Sequence, residues 1–332
     1  MAYSPSGNLT TSTGLGHLAA ILYKKRGLDI LQKKFVFRDA CLKDMLDRQS
    51  GRTVQWFRYS NLAANTTIST EGTVGSSLTL TSKVVQATVS QYTAFITVSD
   101  LLMDTALDPI VQSAAERLGY QAGLSVDTIT RNVIDAESSS TNLAPLATYY
   151  KVADLRNARH QLQANDVMPM EDGDFFAVAH PFVTYDIVND PSAVGLADIF
   201  KYNTNVNNSP LVKYEDRGQV IRVAGVRLVE STNVKTQAAP NRYRVYVFGR
   251  NGVGSVDLEG RGPSEVKDPT KQRFRIKVVP GGPNNLSIAD PEGVIGAAVS
   301  YNYIFSVVIL EGPSGIGGSY RYRTSDPQST IG

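Results

Sequence analysis

The sequence holds one cysteine, Cys41, and three histidines, His17, His160 and His180, in 332 residues. A single thiol excludes an intrachain disulfide and a cysteine-based zinc site, so the fold must stand on packing, as suits a reducing compartment. The histidines lie far apart and none has a partner four residues away, which removes the helical zinc-binding arrangement. His180, before a proline in "AVAHPFVTYD", reads as a packed histidine at a strand edge. No G-x-x-x-x-G-K-[ST] segment occurs, and "GRNGVGSVDLEGRG", from Gly249, is not followed by a helix pattern whose amides would hold phosphate. Long apolar runs are also missing. "AAVSYNYIFSVVIL" is interrupted by Ser300, Asn302 and Ser306 and falls short of the ~20 apolar residues of a membrane-spanning helix, so it reads as a buried strand. The start, "MAYSPSGNLTTSTG", has no basic stretch leading into an apolar core, and no secretory leader is expected. No titratable groups cluster, so neither an enzyme, a cofactor nor a metal site is expected.

With 42% hydrophobic and 19% charged residues the chain is a folding one. Its net charge of +2 hides an asymmetry: residues 1–60 hold ten Lys or Arg against four Asp or Glu, giving +6 and leaving −4 for the rest. The basic cluster Lys24, Lys25, Arg26, Lys33 and Lys34 fits contact with nucleic acid or an acidic neighbour by charge alone, and fits a solvated helix face equally. No base-reading motif accompanies it.

Residues 1–14 have little to bury. "LGHLAAILYKKRG" and "DILQKKFVFRDACLKDML" read as short helical pieces broken at Gly27. "RTVQWFRYSN" alternates as a strand does, with Val54, Trp56 and Arg58 on one side and Gln55, Phe57 and Tyr59 on the other. About twenty polar residues follow, and "KVVQATVSQYTAFITVSD" alternates again through Val85, Ala87 and Val89 and through Ala94, Ile96 and Val98. Such a two-stranded excursion buries too little to be stable alone and needs something to lie against. Next comes a long helix. Asp108 and Pro109 suit its cap and first turn, and Val111, Ala115, Leu118, Ala122, Val126, Ile129 and Val133 recur at spacings of three or four. From Asp108 to Ala136 it would span roughly 40 Å. Glu116, Arg117, Gln121, Asp127 and Arg131 are expected on its solvated face, and Gly119 and Gly123 imply a close neighbour. "KVADLRNARHQLQAND" is a shorter amphipathic helix with Val152, Leu155 and Leu162 inward. After it, "DFFAVAHPFVTYDIV", "GQVIRVAGVRLVEST", "RYRVYVFGRNGVGSVDL", "RFRIKVVPGG" and the closing apolar run read as strands. The class is α+β with a mostly antiparallel sheet.

A long hairpin, a long helix and a basic arm without a catalytic constellation describe an assembly protein. "EGTVGSSLTLTSKVVQATVSQYTAFITVSDLLMDTALDPIVQSAAERLGYQAGLSVDTITRNVI", Glu71 to Ile134, resembles the major capsid proteins of tailed bacteriophages, in the family of the phage N-four coat protein. "FFAVAHPFVTYDIVND", "GVRLVESTNV", "RVYVFGRNGVGSVDL" and "DPEGVIGAAVSYNYIFSVVIL" extend the resemblance from about Arg52 to Gly312. Val74-Gly75 stands where a proline is usual, and "GGPNNLSIA" replaces a tighter glycine turn; both departures bear on loop geometry.

The resemblance implies a Hong Kong 97-like capsid fold. It implies an N-arm over residues 1–53, an extended loop over 54–99, a peripheral domain over 100–150 with a spine helix at 108–136, a mainly axial domain over 151–273, and return strands with a tail over 274–332. Hexamers and pentamers would close an icosahedral shell around double-stranded DNA, assembled in the host cytoplasm, with scaffolding, decoration and portal proteins as possible partners. The chain lacks a long charged helical leader, so no scaffolding segment is expected at its front. Trp56, Phe57, Glu71, Lys83, Tyr92 and Phe95 are the expected contacts, between subunits or onto the long helix. Relatives that cross-link subunits use a lysine and an asparagine, and Lys83 lies in the corresponding region, without a residue pattern that assigns it the role. An encapsulin-like shell around protein cargo is the alternative; a surface fibre would call for a secretory leader.

Overall fold

The computed structural model describes residues 36–47, 49–68, 71–72, 75, 77–105, 110–136, 150–189, 212–215, 220–237, 242–259, 275–280, 295–310 and 320–323. The expected helical piece at 15–27, the basic cluster at 24–34, the Asp108–Pro109 cap and the glycine-rich close lie outside them.

A five-stranded sheet is organised by one long strand, β13 (Ile295–Ile309). Strand β4 (Ser90–Ser99) pairs with it antiparallel from Ile295 to Phe305. β12 (Arg275–Pro280) and β11 (Val253–Leu258) pair with successive stretches of it, also antiparallel. β1 (Leu42–Leu46) adds to β11 in parallel. The helical reading of residues 29–46 is therefore corrected at its end: Arg38–Ala40 make one 3-10 turn, and Leu42–Leu46 form a strand. A five-residue segment gains more from a backbone ladder along the edge of β11 than from one further helical turn.

The seven-stranded sheet runs β14 (Tyr320–Arg323), β10 (Arg242–Phe248), β5 (Phe175–Ala179), β8 (Val226–Glu230), β7 (Val220–Val223), β6 (Val212–Glu215), with β9 (Thr236–Gln237) on β10. Only the β5–β8 pair in it is parallel among the described strands. "FFAVA" of β5 is buried throughout because both faces are covered. Phe175, Ala177 and Ala179 face α3 (Val152–Ala164) and α4 (Pro181–Val188) across Val152, Leu155, Leu162, Val183 and Ile187. Phe176 and Val178 face the opposite cluster with Phe37, Tyr246 and Phe248. The strand expected to run on through "PFVTYDIV" instead turns helical after Ala179. His180 caps α4, its Nδ1 accepting from the Phe182 N–H at 3.3 Å, and Pro181 takes the first helical position, where no N–H is needed.

Helix α2 (Ile110–Ala136) joins the two sheets. Its first half packs Ala115, Leu118, Ala122 and Val126 on Val299, Tyr301, Tyr303 and Phe305 of β13. Its last turn enters the cluster of the seven-stranded sheet through Ile134. Gly119 and Gly123 are buried.

The two-stranded unit expected over 54–99 is shorter. β2 (Thr53–Tyr59) and β3 (Ser82–Thr88) form the hairpin, in register from Thr53–Thr88 to Tyr59–Ser82. β4 leaves it for β13. The inward phase changes from Val85, Ala87 and Val89 to Tyr92, Ala94, Ile96 and Val98, and a strand cannot carry both phases on one face.

Candidate assembly surface

The hairpin has one covered and one open face. Val54, Trp56 and Ala87 pack with Val89 on Leu46, Val256, Ile304 and Val308, which seats its base on the five-stranded sheet. The other face carries Phe57 and Tyr59, 64% and 63% exposed, with Val84 opposite Phe57. The ladder continues one step beyond β2 through the Ser60 N–H and the Thr81 carbonyl at 2.9 Å. Beyond it, Leu62, Ile68, Leu78 and Leu80 are all open to solvent. Glu71 is exposed in the turn with Gly72, whose φ of +83° is the left-handed region that glycine tolerates. Lys83 is exposed and stands opposite Arg58. Phe95 is 72% exposed on the outer face of β4.

Tyr92 has a different place. Its ring stacks on Tyr303 at 5.3 Å and packs with the residues that receive α2, so its contact is within the subunit, onto the helix layer. Trp56 is half buried at the hairpin base, Phe57 and Phe95 face outward, and Glu71 and Lys83 are exposed, Lys83 on the Trp56 side of the hairpin opposite Arg58. The structure thus divides the expected contact set rather than gathering it into one patch.

A second exposed apolar surface had no sequence expectation. Helix α1 (Asp100–Thr105) follows β4 and buries none of its residues; Leu101, Leu102 and Met103 are 75%, 46% and 40% exposed. The signal was present as "DLLMD", three apolar residues between two acids.

Residues that fix the amino-terminal entry were also missed. Asp127, expected on the solvated face of α2, is buried. Its Oδ1 accepts the N–H of Phe37 at 3.0 Å and of Val36 at 3.2 Å, and its Oδ2 accepts Asn233 Nδ2 at 2.8 Å. Burial raises its pKa, opposed by the hydrogen bonds from Asn233, Phe37 and Val36. Arg38 is buried and pairs with Asp257 of β11. Phe37 is fully buried, edge-on to Tyr246 at 5.6 Å. Cys41 beside it is buried, its Sγ reaching the Phe37 carbonyl at 3.3 Å, and burial pushes its thiol up to about 12. Such a thiol is unreactive. At the other end of α2, Asp135 accepts from Lys235, Arg244 and the Tyr246 hydroxyl, tying the helix to β10.

Helix α4 carries a half-buried acid, Asp186, which desolvation pushes up to about 6. Burial lowers His180, whose ring stacks on Tyr243 at 4.2 Å, and raises Glu230, which a hydrogen bond from Thr184 opposes. Among the described residues no group of His, Cys, Asp and Glu is placed to hold a metal ion, and no helix is long and apolar enough to cross a membrane.

What this arrangement can do is bind other surfaces. The model of the phage capsid protein family matches residues 82–316. The capsid protein of Ralstonia phage GP4 is similar in structure, with a TM-score of 0.61 at 12% identity over 98% of this chain and 95% of that one. So are the capsid protein of cyanophage Pam1, with 0.58 at 12% identity over 98% of both chains, and that of cyanophage P-SCSP1u, with 0.55 at 13% identity over 97% and 92%. Comparison with curated proteins gives no match. The family is one of structural proteins, and its match favours a virus shell over a compartment for protein cargo. This chain belongs to the phage capsid protein family: it has the Hong Kong 97-like fold and is a major capsid protein that associates with its own copies into the icosahedral shell of the virion.

Proposed function

We propose that the chain assembles in the host cytoplasm as hexamers and pentamers that close the head shell of a tailed phage around double-stranded DNA. Hairpin β2–β3 is the extended loop and lies over an adjacent subunit. Residues before Thr53 act as the N-arm, the five-stranded sheet with α2 as the peripheral domain, and the section from Lys151 to about residue 273 as the main part of the axial domain. The observation that carries this reading is the open face of the hairpin. Phe57, Tyr59 and Val84 form a contiguous apolar strip that the subunit itself does not cover, and such strips mark association sites. A ring in which each copy gives an arm and receives one closes without self-complementary patches. The basic cluster Lys24, Lys25, Arg26, Lys33 and Lys34 meets packaged DNA by charge, or an acidic neighbour. Scaffolding, decoration and portal proteins are the expected helpers.

Sedimentation velocity with negative-stain electron microscopy of the protein expressed alone is the test. Rings or shells are expected. A monomer that stays monomeric when a candidate scaffolding protein is added would refute the assembly reading.

A further inference from the structure

We infer that helix α1 is the receptor for the distal hairpin of a second copy, with Leu101, Leu102 and Met103 seating the apolar side chains beyond the β2–β3 ladder. The inference rests on the reading that the hairpin lies over a neighbour and names where it lands. The chain's own arm leaves both surfaces open: Leu78 and Leu80, just beyond the end of the ladder, are each 57% exposed, and α1 has no buried residue. Each apolar surface needs a cover, and a shell of identical copies supplies one with every contact.

Charge selects the pairing. α1 carries Asp100 and Asp104 and no cation, a charge of −2. The hairpin from Arg52 to Thr88 carries Arg52, Arg58 and Lys83 against Glu71 alone, a charge of +2. A second α1 brought against the first would set acids against acids, and two arms brought together would set cations against cations. Arm on helix opposes unlike charges around an apolar centre, the arrangement that both steers encounter and fixes register. Reach permits it. Leu78 lies ten residues from Thr88 and so stands up to roughly 33 Å from the seat of the hairpin on the five-stranded sheet. That reach carries Leu78 and Leu80 away from their own subunit's seat, where the α1 of a neighbouring copy can take them.

The test uses the unreactive state of Cys41. In the full-length chain, Thr79→Cys places one accessible thiol between Leu78 and Leu80 while leaving both in place. A benzophenone maleimide is attached there, shells are assembled and irradiated, and cross-linked peptides are identified by mass spectrometry of shells mixed from isotope-labelled and unlabelled chains. Mixed-isotope cross-links within residues 100–105 are expected. Mixed-isotope cross-links elsewhere would overturn the receptor while leaving the arm on a neighbour. Cross-links confined to single-isotope pairs would overturn both. A charge swap gives an independent reading. Asp100→Lys with Asp104→Lys should lose the cross-link and shell formation, and adding Arg58→Glu with Lys83→Glu should restore them. Failure to assemble with a melting temperature unchanged from the parent, and no recovery in the swap, would count against the pairing.

Discussion

Asp127 shows how one side chain sets the course of a segment some ninety positions away. Its carboxylate is the acceptor for the Val36 and Phe37 amides and for Asn233, so it fixes where the chain enters the body. Asp127→Ala strands two backbone donors, one of them fully buried, at about 1–3 kcal/mol each. The expected outcome is an unfolding free energy, from urea titration, lower by that order, with faster amide exchange at Val36 and Phe37; unchanged exchange there would show that the amides do not depend on the carboxylate. Asp186 makes a prediction of the opposite sign. Burial raises its folded pKa to about 6, above the ordinary carboxylate value. A raised acid contributes stability that is fully present below its unfolded pKa and lost as the pH climbs through about 6. Asp186→Asn removes that loss. The variant should therefore melt above the parent at pH 7–8, and the gap should close as the pH falls to about 4; a gap independent of pH would assign the effect to packing instead. Gly249 is fixed by space: a methyl at its Cα would fall against Val167 and the Met168 carbonyl.

At the scale of elements, the hairpin separates stability from assembly by the side of the strand a residue occupies. Trp56 faces the five-stranded sheet, and Phe57 faces out. Trp56→Ala should cost the subunit about 2 kcal/mol or more, because a half-buried indole leaves its seat. Phe57→Ser with Tyr59→Ser should leave the melting temperature within the small range usual for surface changes, yet abolish shells in sedimentation. Loss of assembly in the first alone, or of stability in the second alone, would reverse the faces. These faces were legible in "RTVQWFRY" because a strand alternates with period two, and α2 was legible because its apolar residues recur at three and four. The end of the hairpin was misread: the unit was expected over 54–99, whereas the phase changes between Val89 and Tyr92 and β4 pairs with β13 instead. β1 was not legible. Leu42 to Leu46 suit a helix locally, and only the edge of β11, over two hundred residues away, makes them a strand. Asp127 was misplaced for a related reason: periodicity reports which face is apolar, and a buried carboxylate is stabilised by backbone donors that periodicity cannot see. Tyr92 and Phe95, three residues apart on β4, fall on opposite faces by the same period of two, and the packing of Tyr92 with β13 and α2 shows which face is covered.

On the scale of the whole molecule, charge is distributed as an assembly needs it. The first 60 residues carry +6 and the remainder −4, so a copy presents a cationic front segment and an acidic body. Two destinations for Lys24, Lys25, Arg26, Lys33 and Lys34 follow from that asymmetry, and salt distinguishes them. Cations that neutralise phosphates release counterions, and each adds about 0.9 to the slope of log affinity against log salt on duplex DNA. Replacing all five with Gln should therefore flatten the salt dependence of DNA binding by disrupted, open shells by up to roughly 4.5, with capsid yield preserved. If the same segment meets the acidic body of a neighbour, the slope stays and assembly weakens instead, most at high salt, where screening already erodes contacts between exposed charges. Measuring DNA retention and shell yield on one salt series resolves the two, because the first outcome acts on the packaged polymer and the second on the protein lattice. The proposal of DNA contact requires the first.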